Sequence, residues 1–482
     1  MGPDHPGAEP RESVKRRPHV RRRVRGMLES VESLPADPRV RAVAALLRVF
    51  EERRPLREFQ WLEGLSGRDR GLAFQIVMGS LRHHALLTAV LDHCMPRPLP
   101  SRRHFIRSVL VTALFQARYL RIPERAAVFE AVRLVKESHE QGMAPFCNAV
   151  LRRALALDDA AVLQGVEDRV TRLALETSHP QWLVRRWCHR VGADVCRQWL
   201  LANNRPAPLT LRLHGDAATM VMARQRLFEV GARPCPATPE ALFLDGTRGV
   251  EDLPGYASGA FAVADQGAQW IARLLAPRPG QRVLDACAAP GGKTAHLAHL
   301  AQMAGGDIHL TALEKNPSRL HRLRENLARL RVAGVEIIAG DATEAGLFAG
   351  YTFHRVLVDA PCTGTGIIRR HPEIKWLRGE EEPVLMQRQQ CAILAASARQ
   401  IVPDGVLVYA TCSMEPEENE EVVREFLATH PDWSLDPIDP RVEGMPTEWI
   451  DAAGLFRTWP GLCDMDGFFA ARLVRRFGKN AD

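Results

Sequence analysis

No run of 18 or more apolar residues occurs in the 482-residue chain, which argues against a membrane-spanning helix. Residues 1–25 carry charge but no apolar stretch of the kind a secretory signal needs, so a reducing, cytoplasmic compartment is expected. The ten cysteines stand at 94, 147, 188, 196, 235, 287, 362, 391, 412 and 463, and no two have the C-x₂₋₄-C spacing of a zinc site. They read as free thiols, and no bound metal is expected. Internal repeats and low-complexity tracts are missing as well. Nothing in the sequence demands an oligomer, and a monomer is the expectation.

What is there is ordinary in bulk and uneven in detail. Hydrophobic residues make up 46% and charged residues 25%, as in globular proteins, and the length suits two to four domains of about 100–200 residues each. Sixty-four Lys and Arg against 57 Asp and Glu give +7 and a pI near 9.0, which permits a polyanionic partner without requiring one. Seven of the eleven positions from Lys15 to Arg25 are basic. Residues 1–34 therefore read either as a disordered arm that holds phosphate nonspecifically or as a solvated terminus.

Three domains follow in the sequence. Residues 35–165 are helical throughout: Val40, Val43, Leu46, Leu47 and Phe50 recur at helical spacing, and further helices are predicted over 105–119, 126–135 and 146–155. Arg82, Arg102, Arg103, Arg107, Arg152 and Arg153 of this all-α domain either face RNA or are simply solvated. Residues 170–262 form a small α+β module, with two helices near 181–202, a strand over 209–214, a helix over 217–230 and short strands near 241–244 and 259–264. Residues 263–477 alternate strand and helix, which implies a doubly wound parallel sheet. Its strands are predicted at 282–286, 308–313, 335–339, 355–359 and 405–410, with helices including 292–300, 317–330 and 386–401. Residues 467–474 fit an antiparallel edge strand.

The first strand of that sheet runs into Cys287-Ala288-Ala289-Pro290-Gly291-Gly292-Lys293-Thr294. This turn would satisfy the G-x-x-x-x-G-K-[ST] phosphate loop but for Cys287 at its first position. The next strand closes with Glu314, where a carboxylate can accept both hydroxyls of a ribose, so a nucleoside cofactor without a triphosphate fits better. Asp285, Glu314, Asp341 and Asp359 all close strands on one sheet edge and are expected to converge on one crevice, although any one alone could be a helix cap.

Asp359-Ala360-Pro361-Cys362 and Ala410-Thr411-Cys412-Ser413 end the fourth and fifth strands, which in such a sheet lie ~4.8 Å apart. Free cysteines are commonly small buried residues, but strand-end loops are where function concentrates. Beside a methyl donor, two thiols suit chemistry at C5 of a pyrimidine: a thiolate adds at C6, C5 takes the methyl group, and loss of the C5 proton releases the thiol. The attacking thiol needs nearby positive charge or hydrogen bonds, and Asp359 is placed to bind the N3/N4 edge of a cytosine. The base must leave its stack to enter.

At these residues the sequence resembles the RNA cytosine-C5 methyltransferases of the RsmB/NOP2/NSUN superfamily. Asp285–Thr294 resembles their cofactor motif. Asp359–Gly366 with Arg369–Trp376 matches the first cysteine motif, with Thr363 where Ser is common, and Tyr409–Ser413 with Pro416–Glu420 matches the second. The resemblance implies S-adenosylmethionine bound by Cys287, Ala288, Ala289, Pro290, Gly291, Gly292, Lys293, Glu314, Asp341 and Asp359. It also implies a nucleophile at Cys412 and a helper for product release at Cys362. DNA cytosine-C5 enzymes attack with the Pro-Cys thiol and lack the Thr-Cys motif.

Asp69-Arg70, Gly79–Arg82, Arg121–Pro123 and Phe146–Arg153 resemble a NusB-like RNA-binding domain. Fused to this catalytic core, it implies a cytosine of 16S ribosomal RNA, position 967 in the customary numbering, as substrate. Val263–Ala268 departs from the usual Val-Gln-Asp-Glu-Ala-Ser, and the basic arm is extra. Another rRNA position, a tRNA, or a non-catalytic role in ribosome assembly are the alternatives.

Overall fold

A computed structural model describes residues 34–476 apart from 59, 247–248 and 345; the basic arm expected over 1–34 lies, but for Leu34, outside the described residues, as does residue 477. The amino-terminal domain contains helices Pro38–Phe50, Gly67–Arg82, His84–His93, His104–Tyr119, Glu124–Lys136 and Ala144–Ala156. The first begins where Asp37 caps it, its Oδ1 accepting the N–H of Arg39 at 2.8 Å and of Val40 at 3.3 Å, with Pro38 in the first turn. Of the apolar stripe read from the sequence, Val43, Leu46 and Leu47 are buried and pack with Ile76, Leu81, Val109, Leu110 and Leu114, while Val40 and Phe50 are half-buried. Gly79 lets helices 67–82 and 104–119 meet, because a Cβ there would fall 1.8 Å from the Phe115 ring.

Only part of the arginine set is free to face a ligand. Arg82 turns inward, its Nη2 donating to the carbonyl of Arg369 at 3.0 Å, while Arg103 pairs with Glu140 and Arg107 with Asp92. Arg102, Arg152 and Arg153 are exposed. Helical spacing alone could not separate these two groups, since what divides them is a tertiary partner: Arg369 of the catalytic domain for Arg82, and Glu140 and Asp92 of the same helical domain for Arg103 and Arg107.

Helices Asp159–Gln164, Arg169–Glu176, Gln181–Val191 and Ala193–Asn203 lead into a small antiparallel sheet. Its strands are β1 (Leu209–Leu213), β2 (Arg233–Pro234), β3 (Ala241–Leu244) and β4 (Phe261–Val263), in the order β2-β3-β1-β4. Helix Ala217–Glu229 packs on it through Ala223 and Leu227.

The large sheet comprises β5 (Arg282–Asp285), β6 (His309–Glu314), β7 (Glu336–Ala339), β8 (Phe353–Asp359), β9 (Ile401–Thr411), β10 (Trp433–Leu435), β11 (Phe456–Arg457) and β12 (Phe469–Arg475). The order is β10-β12-β9-β8-β5-β6-β7, with β11 beside β12 and β5 to β9 parallel. Alternate strand residues point to opposite faces. Val283, Leu357 and Val408 pack with Trp270, Ile271 and Leu297 on one face, whereas Leu284, Val356, Val358 and Tyr409 pack with Ile393, Leu394 and Phe426 on the other. The chain leaves β5 toward β6 and returns on its other side as β8, so the topological switch lies between β5 and β8. Ligands of open α/β sheets bind in that crevice.

Two expectations need correction. Strand β12 is not an edge: it is paired with β9 on one side and with β10 and β11 on the other. The strands of two and three residues that cover it are too short to show alternation. The helix predicted over 386–401 runs instead from Glu382 to Ala398, and Ile401 opens β9. Residues Val402–Gly405 are accommodated by a register shift opposite Phe353 and Arg355, which hides the strand's start.

Residues 369–378 lock the three domains together. Lys375 is 1% exposed, and its Nζ donates to the carbonyls of Arg82 at 2.8 Å and Ser178 at 2.7 Å and to Asn204 Oδ1 at 3.1 Å. Trp376 Nε1 donates to the carbonyl of Leu81 at 2.8 Å. Arg370 donates to the carbonyl of Pro208 and to Asp265, both at 2.9 Å, and to Asp466.

Candidate active site

At the switch point β5 closes with Asp285. Thr294, on the first turn of helix Gly292–Met303, donates its hydroxyl to Asp285 Oδ2 at 2.7 Å, whereas Oδ1 is buried without a hydrogen-bond partner. Burial pushes this carboxyl up to about 6. Lys293 Nζ reaches across to Asp359 Oδ2, at the end of β8, at 2.7 Å. Burial works against the ammonium, but the charge and hydrogen bond of Asp359 outweigh it and raise the Lys293 pKa.

These side chains border a cavity lined by Asp285, Asp359 and all of 287–293 except Gly291, which caps the helix in the left-handed region at φ 97°. Glu314 and Asp341 stand farther along the same edge, so the four carboxylates follow the strand order β8, β5, β6, β7. Glu314 accepts the N–H of Asn316 at 2.8 Å and lies 3.4 Å from Arg319. Asp341, paired with Lys315 at 2.5 Å and accepting the Thr343 N–H at 2.9 Å, is held down to about 2 by these partners.

Asp359 and Ala410 are register partners in β8 and β9, so Cys362 and Cys412 emerge from adjacent strand ends. Their sulfurs are 3.2 Å apart. The Cys362 thiol is pushed well above its ordinary pKa, first by its hydrogen bond to Cys412 and then by burial. Gly366 knits the two loops, donating its N–H to the Cys412 carbonyl at 3.0 Å and accepting from Gly467 at 2.8 Å. A Cβ on Gly366 would fall 2.1 Å from the Gly467 oxygen.

Sequence reasoning gave Glu418 no role. Its carboxylate, 0% exposed, accepts the Thr363 N–H at 2.7 Å, the hydroxyls of Thr363 and Ser413, and the Gln390 amide at 3.1 Å. Asn419 completes the second loop, accepting from Thr411 Oγ1 at 2.5 Å and donating to the Ser413 carbonyl at 2.9 Å. The signal was the acidic run after Cys412, but nothing local says which of its carboxylates turns inward. Behind this loop, a groove of about 780 Å³ opens between helix Ala193–Asn203 and residues 457–462, with Arg190, Trp199, Arg205 and Trp459 among its walls.

Residues 272–474 match the family model for 16S rRNA methyltransferase RsmB/F, residues 36–156 that of the NusB family, and residues 179–251 that of the ferredoxin-like domain of RsmF/B-like methyltransferases. Ribosomal RNA small subunit methyltransferase B of Pasteurella multocida (strain Pm70) is 35% identical over 415 residues, covering 84% of this chain and 88% of that protein. The protein of the same name from Pseudomonas putida is 36% identical over 407 residues, covering 82% and 90%. The crystal structure of PH0851 superposes with a TM-score of 0.76 over 92% of this chain and 99% of that one, at 23% identity, a likeness of fold.

Proposed function

The chain belongs to the RsmB/F family of 16S rRNA methyltransferases, and from that footing we propose that it methylates C5 of a cytosine in small-subunit rRNA, position 967, through a covalent bond from Cys412 to C6. The observation that carries the reading is the pair of sulfurs 3.2 Å apart on the loops that follow β8 and β9, with Asp359 of β8 in the wall of the cavity.

S-adenosylmethionine suits that cavity. Asp285 Oδ1 is a buried acceptor without a partner, such as an α-ammonium needs, and Glu314 stands where a ribose diol is held in such folds. Residues 287–293, Glu314, Asp341 and Asp359 would hold it. When bound, it supplies an electrophilic methyl carbon.

The protein's own groups do the rest. Cys412 Sγ bonds to C6, and the displaced π pair makes C5 the nucleophile. Cys362, whose proton is held tightly 3.2 Å from the attacking sulfur, assists the release step. Asp359 Oδ2 accepts from Lys293 Nζ, and its Oδ1 accepts from the N4 amino group of the base. After C5 is methylated its proton departs to a base, the electron pair re-forms the C5–C6 double bond, and the S–C6 bond breaks to return the thiolate. The helical domain with exposed Arg102, Arg152 and Arg153 supplies RNA affinity, and a lone chain acting in the cytoplasm is sufficient. Among the described residues no helix is long and apolar enough to cross a membrane.

Labelled methyl transfer to rRNA tests the reading. Cys412→Ser is expected to abolish it and Cys362→Ser to accumulate an RNA adduct stable to denaturant. Retained transfer in Cys412→Ser overturns the mechanism. Bisulfite sequencing of rRNA from cells with and without the gene reads the position.

A further inference from the structure

Arg212 enters the cofactor cavity from another domain. It lies on β1 of the small sheet, opposite Ala241 of β3 and Ala262 of β4, and its side chain lines the same cavity as Asp285, Lys293 and Asp359. It is 1% exposed. Nη1 donates to His299 Nδ1 at 3.1 Å, an arrangement that the other ring nitrogen supports by facing the Gly215 carbonyl at 3.0 Å. Nε and Nη2 are buried without a hydrogen-bond partner.

No carboxylate among the described residues forms an ion pair with this guanidinium, and the nearby Glu240 is engaged by Arg273. The surrounding rings bring no negative charge: His214, His296 and His299 are each held below the ordinary histidine pKa, chiefly by burial. A buried cation without an anion is costly unless something else completes it. Two other residues that line the same cavity, Asp285 and Gln269, each 1% exposed, carry buried acceptors without a hydrogen-bond partner, Oδ1 and Oε1. Unpaired guanidinium donors and unpaired acceptors in one cavity are the complement of an α-amino-acid head, a carboxylate and an ammonium on one carbon.

We propose that Arg212 binds the α-carboxylate of the methionine half of S-adenosylmethionine, with Asp285 and Gln269 taking its ammonium, so that the small domain forms one wall of the cofactor site. This rests on the cofactor reading above. It gives the α+β module a role beyond joining the larger domains.

Calorimetric binding to the full chain tests it with two probes. S-adenosylhomocysteine carries the amino-acid head, and 5′-methylthioadenosine is a thioether nucleoside without it. Arg212→Met is expected to weaken S-adenosylhomocysteine roughly 10- to 100-fold, as for a lost charge-assisted hydrogen bond, and to leave 5′-methylthioadenosine within twofold. Arg212→Lys, which keeps the charge, should lose less; it carries the same comparison where the Met variant melts early. Gln269→Leu should show the same selectivity on a smaller scale. Unchanged affinity for S-adenosylhomocysteine in Arg212→Met, or equal loss for both probes, overturns the proposal. Failure of the wild-type chain to bind either probe instead overturns the cofactor reading.

Discussion

Glu418 accepts the backbone N–H of Thr363 at 2.7 Å, and the same carboxylate takes the hydroxyls of Thr363 and Ser413. Thr363 follows Cys362 and Ser413 follows Cys412, so one buried side chain sets the spacing of both thiols. Burial raises its pKa, and the hydrogen bonds oppose that shift. Glu418→Gln keeps the shape but replaces an acceptor oxygen with a donor. A displacement of the sulfurs by about 1 Å is enough to lower kcat about 10²-fold. S-adenosylhomocysteine affinity is expected to stay within twofold. Single-turnover labelling and calorimetry separate the two, and parallel losses would mark collapse of the domain rather than misplaced thiols.

Trp376 and Lys375 join the helical domain to the first cysteine loop. Trp376 Nε1 donates to the Leu81 carbonyl, and its ring lies 5.2 Å from that of His84 and 6.4 Å from Phe50. Trp376→Ala removes this contact without touching the cofactor cavity. The cost of such a truncation is about 3 kcal/mol when the ring is well packed. The expected result is a raised KM for rRNA, unchanged binding of S-adenosylhomocysteine, and faster proteolysis between the helical and catalytic domains. Equal proteolysis of variant and wild type would show that docking does not depend on this residue.

The parts of the site that were legible are local in sequence. A strand, a glycine-containing turn and a helix beginning at Gly292 are consecutive, and the Pro-Cys and Thr-Cys motifs sit on strand ends whose pairing follows from the sheet type. The illegible parts depend on distant partners. Lys375 resembles any surface lysine until Arg82, Ser178 and Asn204 surround it, and Arg212 is one polar residue in a strand of the small sheet. Strand β12 looked like an edge because β10 is three residues long, and Arg82 looked solvent-facing because its partner is Arg369.

The basic positions between Lys15 and Arg25 are expected to add affinity rather than selectivity. Each phosphate contact that releases a counterion contributes to the slope of log K against log salt, about 0.7 per contact on single-stranded nucleic acid. Deleting residues 1–30 should weaken binding of an rRNA fragment at low salt and flatten that slope by several units, while the ratio of affinities for target and scrambled RNA changes little. Titrations at several salt concentrations check this, and an unchanged slope refutes it.

Asp285, in the proposed cofactor site, is expected to link binding to stability through pH. Burial raises its carboxyl from 3.8 to about 6. Below pH 3.8 the group is protonated in both the folded and the unfolded chain and contributes nothing to pH dependence. Between 3.8 and 6 the folded chain keeps a proton that the unfolded chain has lost, so stability falls as pH rises through that window. By neutral pH the loss is on the order of 3 kcal/mol. Asp285→Asn cannot ionise, so it should be more stable than wild type to urea at pH 8, by up to about that amount, with the gap narrowing as the pH is lowered toward 5. A variant less stable than wild type at pH 8 would refute the sign. The same buried charge is what a bound ammonium would neutralise. S-adenosylhomocysteine should therefore raise the Tm of wild type more than that of Asp285→Asn, converting a destabilising carboxylate into a binding one.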